Sequence, residues 1–172
     1  MPEKGQNQRR FFVNAAGVGF DASVVAITER LPKYLGGTIP YVTGLLRCLF
    51  SYRKKPIDLC LEDRVEARCV LTVVVANGCY LGGGMYVALR ARVDAGLLDV
   101  VTIGDIGKLE LLRIFPTVYN GTHISHPKVR METAKRITIE SSEQLLVHTD
   151  DELLGETPVS FWLVPAALSI LI

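Results

Sequence analysis

Arg68-Cys69-Val70-Leu71-Thr72-Val73-Val74-Val75-Ala76 decides the fold class. The run holds no glycine, proline or acid, and β-branched side chains crowd its second half. That is the pattern of a central strand, packed on both faces. Asn77-Gly78 and Gly82-Gly83-Gly84 stop it. Upstream, Ile57, Leu59 and Leu61 alternate with Asp58, Cys60 and Glu62, the period of a half-buried strand, and Glu62-Asp63-Arg64 turns the chain between them. Downstream, strands are expected at 97–103, 128–131, 136–140, 145–149, 159–164 and 168–172. Many short strands at this spacing, with no strand–helix–strand alternation, point to an antiparallel β-sandwich or open barrel with a few flanking helices.

The amino-terminal part reads differently. Phe11 to Ala15 suggests a short strand, and Gly17-Val18-Gly19-Phe20-Asp21 a turn whose Asp21 can cap a helix over 22–31. Pro32 and Gly36-Gly37 end that helix, and Thr38 and Pro40 begin another. Tyr41, Leu45, Leu46, Leu49 and Phe50 form its apolar stripe. A further helix is expected from Lys108 to Tyr119, with Leu109, Leu112, Ile114 and Phe115 in register and Pro116 weakening its end.

Composition bounds the function. The 172 residues suit one domain, a single sandwich over 11–172 after a mobile polar lead-in over 1–10. With 49% apolar and 22% charged residues the chain is a folding one. Its formal charge of +1 gives no general attraction for nucleic acid. No apolar run is long enough for a membrane helix and no basic-then-apolar leader opens the chain, so a cytoplasmic location is expected. The four cysteines, at 48, 60, 69 and 79, lack zinc-ribbon spacing and read as small buried hydrophobes rather than a disulfide framework. A mean hydropathy of +0.28 predicts an exposed apolar face that meets another domain, a second chain or a lipid.

Four segments are candidates for chemistry. Asn77 to Met85 holds three consecutive glycines, which admit a backbone geometry that side chains block, either as a structural turn or as a loop for phosphate approach. Asp150-Asp151-Glu152 clusters carboxylates that can act as general bases or hold a cation, or simply form a solvated turn. Asp94 and Asp99 flank a glycine in a loop that could offer oxygen ligands. His123, His126 and His148 lack catalytic-zinc spacing and read as surface or loop histidines. Arg53-Lys54-Lys55, after the apolar helix, suits a helix end or an anionic membrane surface.

In order along the chain, these segments resemble one family. Phe12-Val13-Asn14-Ala15-Ala16-Gly17-Val18-Gly19-Phe20-Asp21-Ala22 resembles the opening of the C-terminal domain of diacylglycerol-kinase-like lipid kinases, which include bacterial lipid kinases and sphingosine kinases. Tyr34-Leu35-Gly36 and the helix from Tyr41 resemble the next segment. Asn77-Gly78, with Gly82-Gly83-Gly84-Met85, is similar to its Asn-Gly…Gly-Gly-Gly-Met signature, and Asp94 to Asp99 to its Asp-Gly-x-Leu-Asp loop. Gly121-Thr122-His123 resembles its Gly-x-His segment, Asp150-Asp151-Glu152 its Asp-Gly-Glu, and Pro165 to Leu168 its close.

The resemblance implies a β-sandwich domain that pairs with a nucleotide-binding domain and moves the γ-phosphoryl of ATP, with Mg2+, onto a lipid hydroxyl of diacylglycerol or sphingoid type. It implies Asp150 as catalytic base, with Glu152 as alternative or partner, and an interdomain cleft lined by Asn77, Gly82, Gly83 and Gly84. Peripheral contact with the inner membrane surface and a homodimer are further expectations. The family glycine is Asp151 here, an aspartate of the cation loop is Ala95, and the proline before that loop is Leu89. The metal site is therefore not carried over. The family's Gly-Gly-Asp-Gly-Thr phosphate loop is absent from these residues, so the chain alone is expected to be inactive. The alternative is a non-catalytic module of the same fold that binds lipid or self-associates.

Overall fold

The computed structural model describes residues 9–30 and 38–169, with the backbone alone at 38–42. The two sheets pair only antiparallel strands. The larger has the order β6 (Val129–Ala134), β5 (Leu98–Ile103), β4 (Thr72–Ala76), β1 (Ala15–Gly19), β8 (Leu146–Thr149), β9 (Glu152–Glu156). The smaller has the order β10 (Val159–Trp162), β7 (Arg136–Glu140), β2 (Lys55–Leu61), β3 (Arg64–Val70). The expected β-sandwich with flanking helices is what forms.

The larger sheet is the middle of three layers. Val73 and Val75 of β4 point into one apolar core with Leu59, Ile137 and Ile139 of the smaller sheet. Val74 and Ala76 point the other way, into a second core with Phe20, Val24 and Leu49. Those residues belong to α1 (Phe20–Glu29) and α2 (Thr38–Ser51), and Leu111 and Ile114 of α3 (Lys108–Ile114) join them. All five residues of β4 are buried, because strands flank it and layers cover both its faces. β2, at the outer layer, alternates instead.

The deciding run is two strands, not one. Leu71 lies between them, donating its N–H to Ile103 O at 2.8 Å and accepting from Phe20 N at 3.0 Å. Two partners from the larger sheet side pull the chain out of the smaller sheet there, and β4 continues in the other layer. β1 also departs from expectation. The residues read as a turn form its end, and α1 starts directly after Gly19, whose φ of 102° makes the corner. Asp21 is therefore inside the first helical turn, not its cap.

Other expectations are corrected too. Cys48 is buried, but Cys69 is exposed and Cys60 and Cys79 are half-buried; all four are free thiols. In α2, Cys48 and Leu49 face the core while Leu46 and Phe50 are exposed; the Tyr41 side chain lies outside the described residues. In α3, Leu111 and Ile114 are buried, and Leu109 and Leu112 are exposed. The helix passes into a 3-10 turn over Phe115–Tyr119 with Pro116 in its first turn. Leu168 and Ser169 are not in a strand, and 170–172 lie outside the described residues, as do 1–8 and 31–37 with Pro32 and Gly36-Gly37.

One charged group ties the two sheets. Arg68 on β3, its side chain 9% exposed, reaches Glu132 on β6 at 2.5 Å and Glu66 at 2.6 Å. Arg64 adds a second bond to Glu132. Glu132→Gln leaves a nearly buried guanidinium short of one counter-charge, with Glu66 still in place. The expected loss is about 2 kcal/mol, less than for a wholly stranded buried charge, read as a lower urea midpoint with unchanged slope.

Candidate functional site

The carboxylate cluster sits where three strands end together. Thr149 and Glu152 close a two-residue hairpin between β8 and β9, and Asp150 and Asp151 occupy it with φ of 47° and 64°. A type I′ turn requires left-handed φ at both central residues, and aspartate is among the few side chains that accept it. Asp151 can thus occupy a turn position that otherwise favours glycine.

Asp150 does not float in solvent. Its Oδ1 accepts from the backbone N–H groups of Asn14 and Ala15, both at 3.0 Å, and its Oδ2 from Val13 at 2.7 Å. Its own N–H donates to Ala15 O at 2.8 Å. The same segment is gripped from the other side. Asn77 Nδ2 donates to Val13 O at 2.8 Å, and Asn77 and Gly78 donate their backbone N–H groups to Asn14 O. Asn14 Nδ2 holds Tyr80 O at 2.9 Å, at the start of the glycine loop. Two sequence candidates, Asp150 and Asn77, are thereby joined through Val13–Asn14, and Gly82–Gly84 are linked to them through Asn14. Glu152 pairs with Arg10 at 3.1 Å, both well exposed. Asn14 as the hub carries no sequence signal beyond its place in the family resemblance.

Gly82, Gly83 and Gly84 have φ of 23°, 59° and 87° in the tight return from Leu81 to Met85. A side chain at Gly83 or Gly84 meets nothing within 4 Å, so backbone conformation, not crowding, calls for glycine. Phe11, Val13 and Tyr80 expose their side chains around this face, and Tyr80 stacks on Tyr86 with centroids 4.9 Å apart.

Beneath the acidic turn lies a pair that the sequence reading missed. His148 on β8 is fully buried, and its Nε2 is 2.8 Å from Asp21 Oδ2 on the first turn of α1. Gly17 sits opposite His148 in the ladder, and the missing side chain makes room for the imidazole. Burial pulls the His148 pKa down, but the hydrogen bond to Asp21 and the charges of Asp21, Asp151 and Asp150 outweigh it, so the pKa lies above its ordinary value. Burial raises the Asp151 carboxyl, as do Asp21 and Asp150, against the opposing charge of His148. His123 is also buried rather than on the surface. Its Nε2 is 3.1 Å from Val87 O, and burial lowers its pKa, which suits a neutral structural ring. The signal that could have found His148 is the strand alternation, which places it on the helix-facing side with Gly17.

The two carboxylates of the cation loop, Asp94 and Asp99, sit in different surroundings. Asp94 is gripped at both oxygens by Arg92, at 3.1 and 2.9 Å. Asp99 is buried, its carboxyl raised by burial against the charge of Arg90. Among the described residues no group of three His, Cys, Asp or Glu side chains is placed to hold a metal ion. No helix among them is long and apolar enough to cross a membrane.

Comparison with known proteins gives one consistent match. The family described as the YegS C-terminal NAD kinase beta sandwich-like domain matches residues 14–172. A diacylglycerol kinase of Mycobacterium tuberculosis is 29% identical over 163 residues, covering 94% of this chain and 52% of its own length. The probable lipid kinase YegS-like of Pseudomonas aeruginosa is 29% identical, covering 96% and 54%. A crystal structure from Bacillus anthracis covers 90% of this chain and 50% of its own, with a TM-score of 0.67 at 22% identity. Another, of a diacylglycerol kinase from the same strain, covers 91% and 51% with a TM-score of 0.52 at 21% identity. The chain spans about half the length of the curated relatives it matches.

Proposed function

Because the chain belongs to the YegS C-terminal NAD kinase beta sandwich-like family, we propose that it is the acceptor-binding half of an ATP-dependent lipid kinase. The observation that carries the reading is the clamped turn: Asp150 is oriented by three backbone amides on a face rimmed by exposed apolar side chains. Asp150 is the base for the acceptor hydroxyl, with Glu152 as alternative or partner. A carboxylate offers about four lone-pair directions, and the amides take three, so one on Oδ2 is free for the hydroxyl proton. As that proton leaves, the hydroxyl oxygen bonds to the γ-phosphorus, the bridge to the β-phosphate breaks and ADP departs. ATP and Mg2+ are supplied by a nucleotide-binding half. Asp94 and Ala95 do not fit a magnesium site of this chain's own. Phe11, Val13 and Tyr80, with the Gly82–Gly84 loop, form the face the other half covers.

Membrane contact, on this reading, is made by the helical layer. Leu46 and Phe50 of α2 and Leu109 and Leu112 of α3 are exposed, and Lys108 Nζ joins the helices by donating to Phe50 O at 2.5 Å. Arg47, Lys108 and Arg113 are exposed on the same helices, and Arg53 and Lys54, the latter paired with Asp105, are exposed just after α2. Apolar side chains ringed by cations match an anionic bilayer, from which a lipid acceptor must be drawn.

The test joins this chain to a nucleotide-binding half of the family and follows phosphate from γ-labelled ATP into diacylglycerol or a sphingoid base in mixed micelles. Transfer that needs both halves is expected. A folded, ATP-binding assembly that labels no lipid overturns the kinase reading. Flotation of this chain alone with anionic vesicles would then favour the non-catalytic lipid-binding module.

A further inference from the structure

The buried His148–Asp21 pair is not accounted for by the acceptor chemistry, yet it lies two residues from the proposed base. Its geometry is specific. β8 ends in the Asp150–Asp151 turn, and α1 begins at the corner after β1. The pair is the polar bond between them: Nε2 of a ring with no exposure, 2.8 Å from a carboxylate oxygen. Gly17, between the two elements, has no side chain, and a Cβ there falls 2.1 Å from Asp21 Oδ2 and 2.3 Å from His148 Nε2. The fold has therefore kept a space the size of one contact. The ring's other nitrogen, Nδ1, is buried without a partner. A polar ring this deep, held at one atom only, is costly unless that one bond is strong. The charged groups that face it are Asp21 from α1 and Asp150 and Asp151 from the turn.

We propose that His148 is a positioning residue of the acceptor site, bonding to Asp21 so as to fix the Asp150–Asp151 turn to the start of α1. The inference rests on the acceptor-half reading. Asp150 is anchored from above by the amides of Val13 and Asn14, which lead into β1, and of Ala15, its first residue. His148 anchors the same turn from below, through α1, which leaves β1 at its other end. The two anchors hold the turn at both ends of one strand. Loss of the lower anchor lets the β8–β9 hairpin shift against β1 without unfolding the sandwich, whose inter-sheet core lies on the opposite face of the larger sheet. Sub-ångström displacement of a base from its hydroxyl lowers turnover more than binding.

Two arms test it. In this chain alone, nitrogen-detected NMR of the histidine rings is compared for wild type, His148→Gln and Asp21→Asn. Asp21 is at the milder end of the pair, so its variant keeps the test open if His148→Gln fails to fold. The expected result is a His148 resonance with Nε2 hydrogen-bonded, its titration moved to lower pH by Asp21→Asn, and amide shifts at Asp150 and Asp151 in both variants. Unmoved Asp150 and Asp151 amides overturn the proposal. In the assembly with a nucleotide-binding half, either variant is expected to lower kcat by about 10- to 100-fold with KM for lipid within about twofold. An unchanged kcat also overturns it. If wild type itself labels no lipid, the kinase reading fails, while the amide shifts still uphold or sink the His148 tie.

Discussion

Gly17→Ala should lower stability by about 3 kcal/mol, as a buried hydrogen-bonded pair is broken and an uncompensated charge is left inside. The new methyl would sit 2.1 Å from Asp21 Oδ2 and 2.3 Å from His148 Nε2. Atoms that close must move. Asp21 can swing toward solvent, since its side chain is 21% exposed, but His148 has no exposure and no room. The penalty should depend on pH. The folded-state pKa of His148 is raised, so its contribution to stability is fully present below the ordinary imidazole value near 6.5 and is lost as pH rises through the folded value. The deficit of Gly17→Ala is therefore largest at pH 6 and shrinks in alkaline buffer. Urea midpoints at pH 6 and pH 9 measure it. A deficit independent of pH would mean that crowding alone, and not the charged pair, accounts for the loss. Gly83→Asn is the control: φ there is 59°, but the space is open, and asparagine tolerates that region, so the cost stays below about 1 kcal/mol.

Gly17 also shows where the sequence stops being legible. Gly17-Val18-Gly19-Phe20-Asp21 reads as a turn because two glycines in five residues weaken a strand. Their reasons are tertiary: Gly17 clears the His148–Asp21 contact, and Gly19 turns the chain under Leu71 O. The outer strands were legible because one face of each meets water and leaves an alternation, as in Ile57, Leu59 and Leu61. The switch of sheets at Leu71 left no mark, since Val70-Leu71-Thr72 is uniformly apolar or β-branched and the layers differ only in who their neighbours are. β9 was missed because Glu-Leu-Leu-Gly-Glu lacks β-branched residues; it is a strand because the Asp150–Asp151 turn folds it onto β8. The helical stripes divide for a related reason. Leu109, Leu112, Leu46 and Phe50 are apolar at helical spacing, but spacing alone does not say which members of a stripe meet the sheet and which form the apolar face kept outside.

Residue type points to the carboxylates and the resemblance puts Asp150 first; on the proposed reading, geometry supplies a physical reason for that order. Asp150 is the one fixed by three backbone donors, Asp151 the one whose carboxyl is raised by burial and its acidic neighbours, and Glu152 the one paired with a mobile-length Arg10 side chain in the open. A base must hold its place through the reaction, and an exposed ion pair of two long side chains holds little, being worth about 0–1 kcal/mol.

That ranking gives the second large effect. In the assembly with a nucleotide-binding half, Asp150→Asn should cut turnover by roughly 100- to 10,000-fold, the usual contribution of a positioned general base. The substitution keeps one acceptor oxygen, enough for Asn14 and Ala15, but turns an NH2 toward the N–H of Val13, donor against donor. This costs about 1 kcal/mol in folding, because Val13 is exposed and water can relieve it. Stability and rate therefore separate: the melting temperature falls by a few degrees while turnover nearly vanishes. Glu152→Gln is expected to change turnover by no more than about tenfold, since it removes an exposed pair and no amide bond. Full activity in Asp150→Asn with loss in Glu152→Gln would move the base to Glu152 and leave Asp150 as the clamp of the β1 entrance. Equal loss in both would make them a pair, and Asp150→Ala, which frees all three amides, would then show by its melting temperature how much of the clamp is structural.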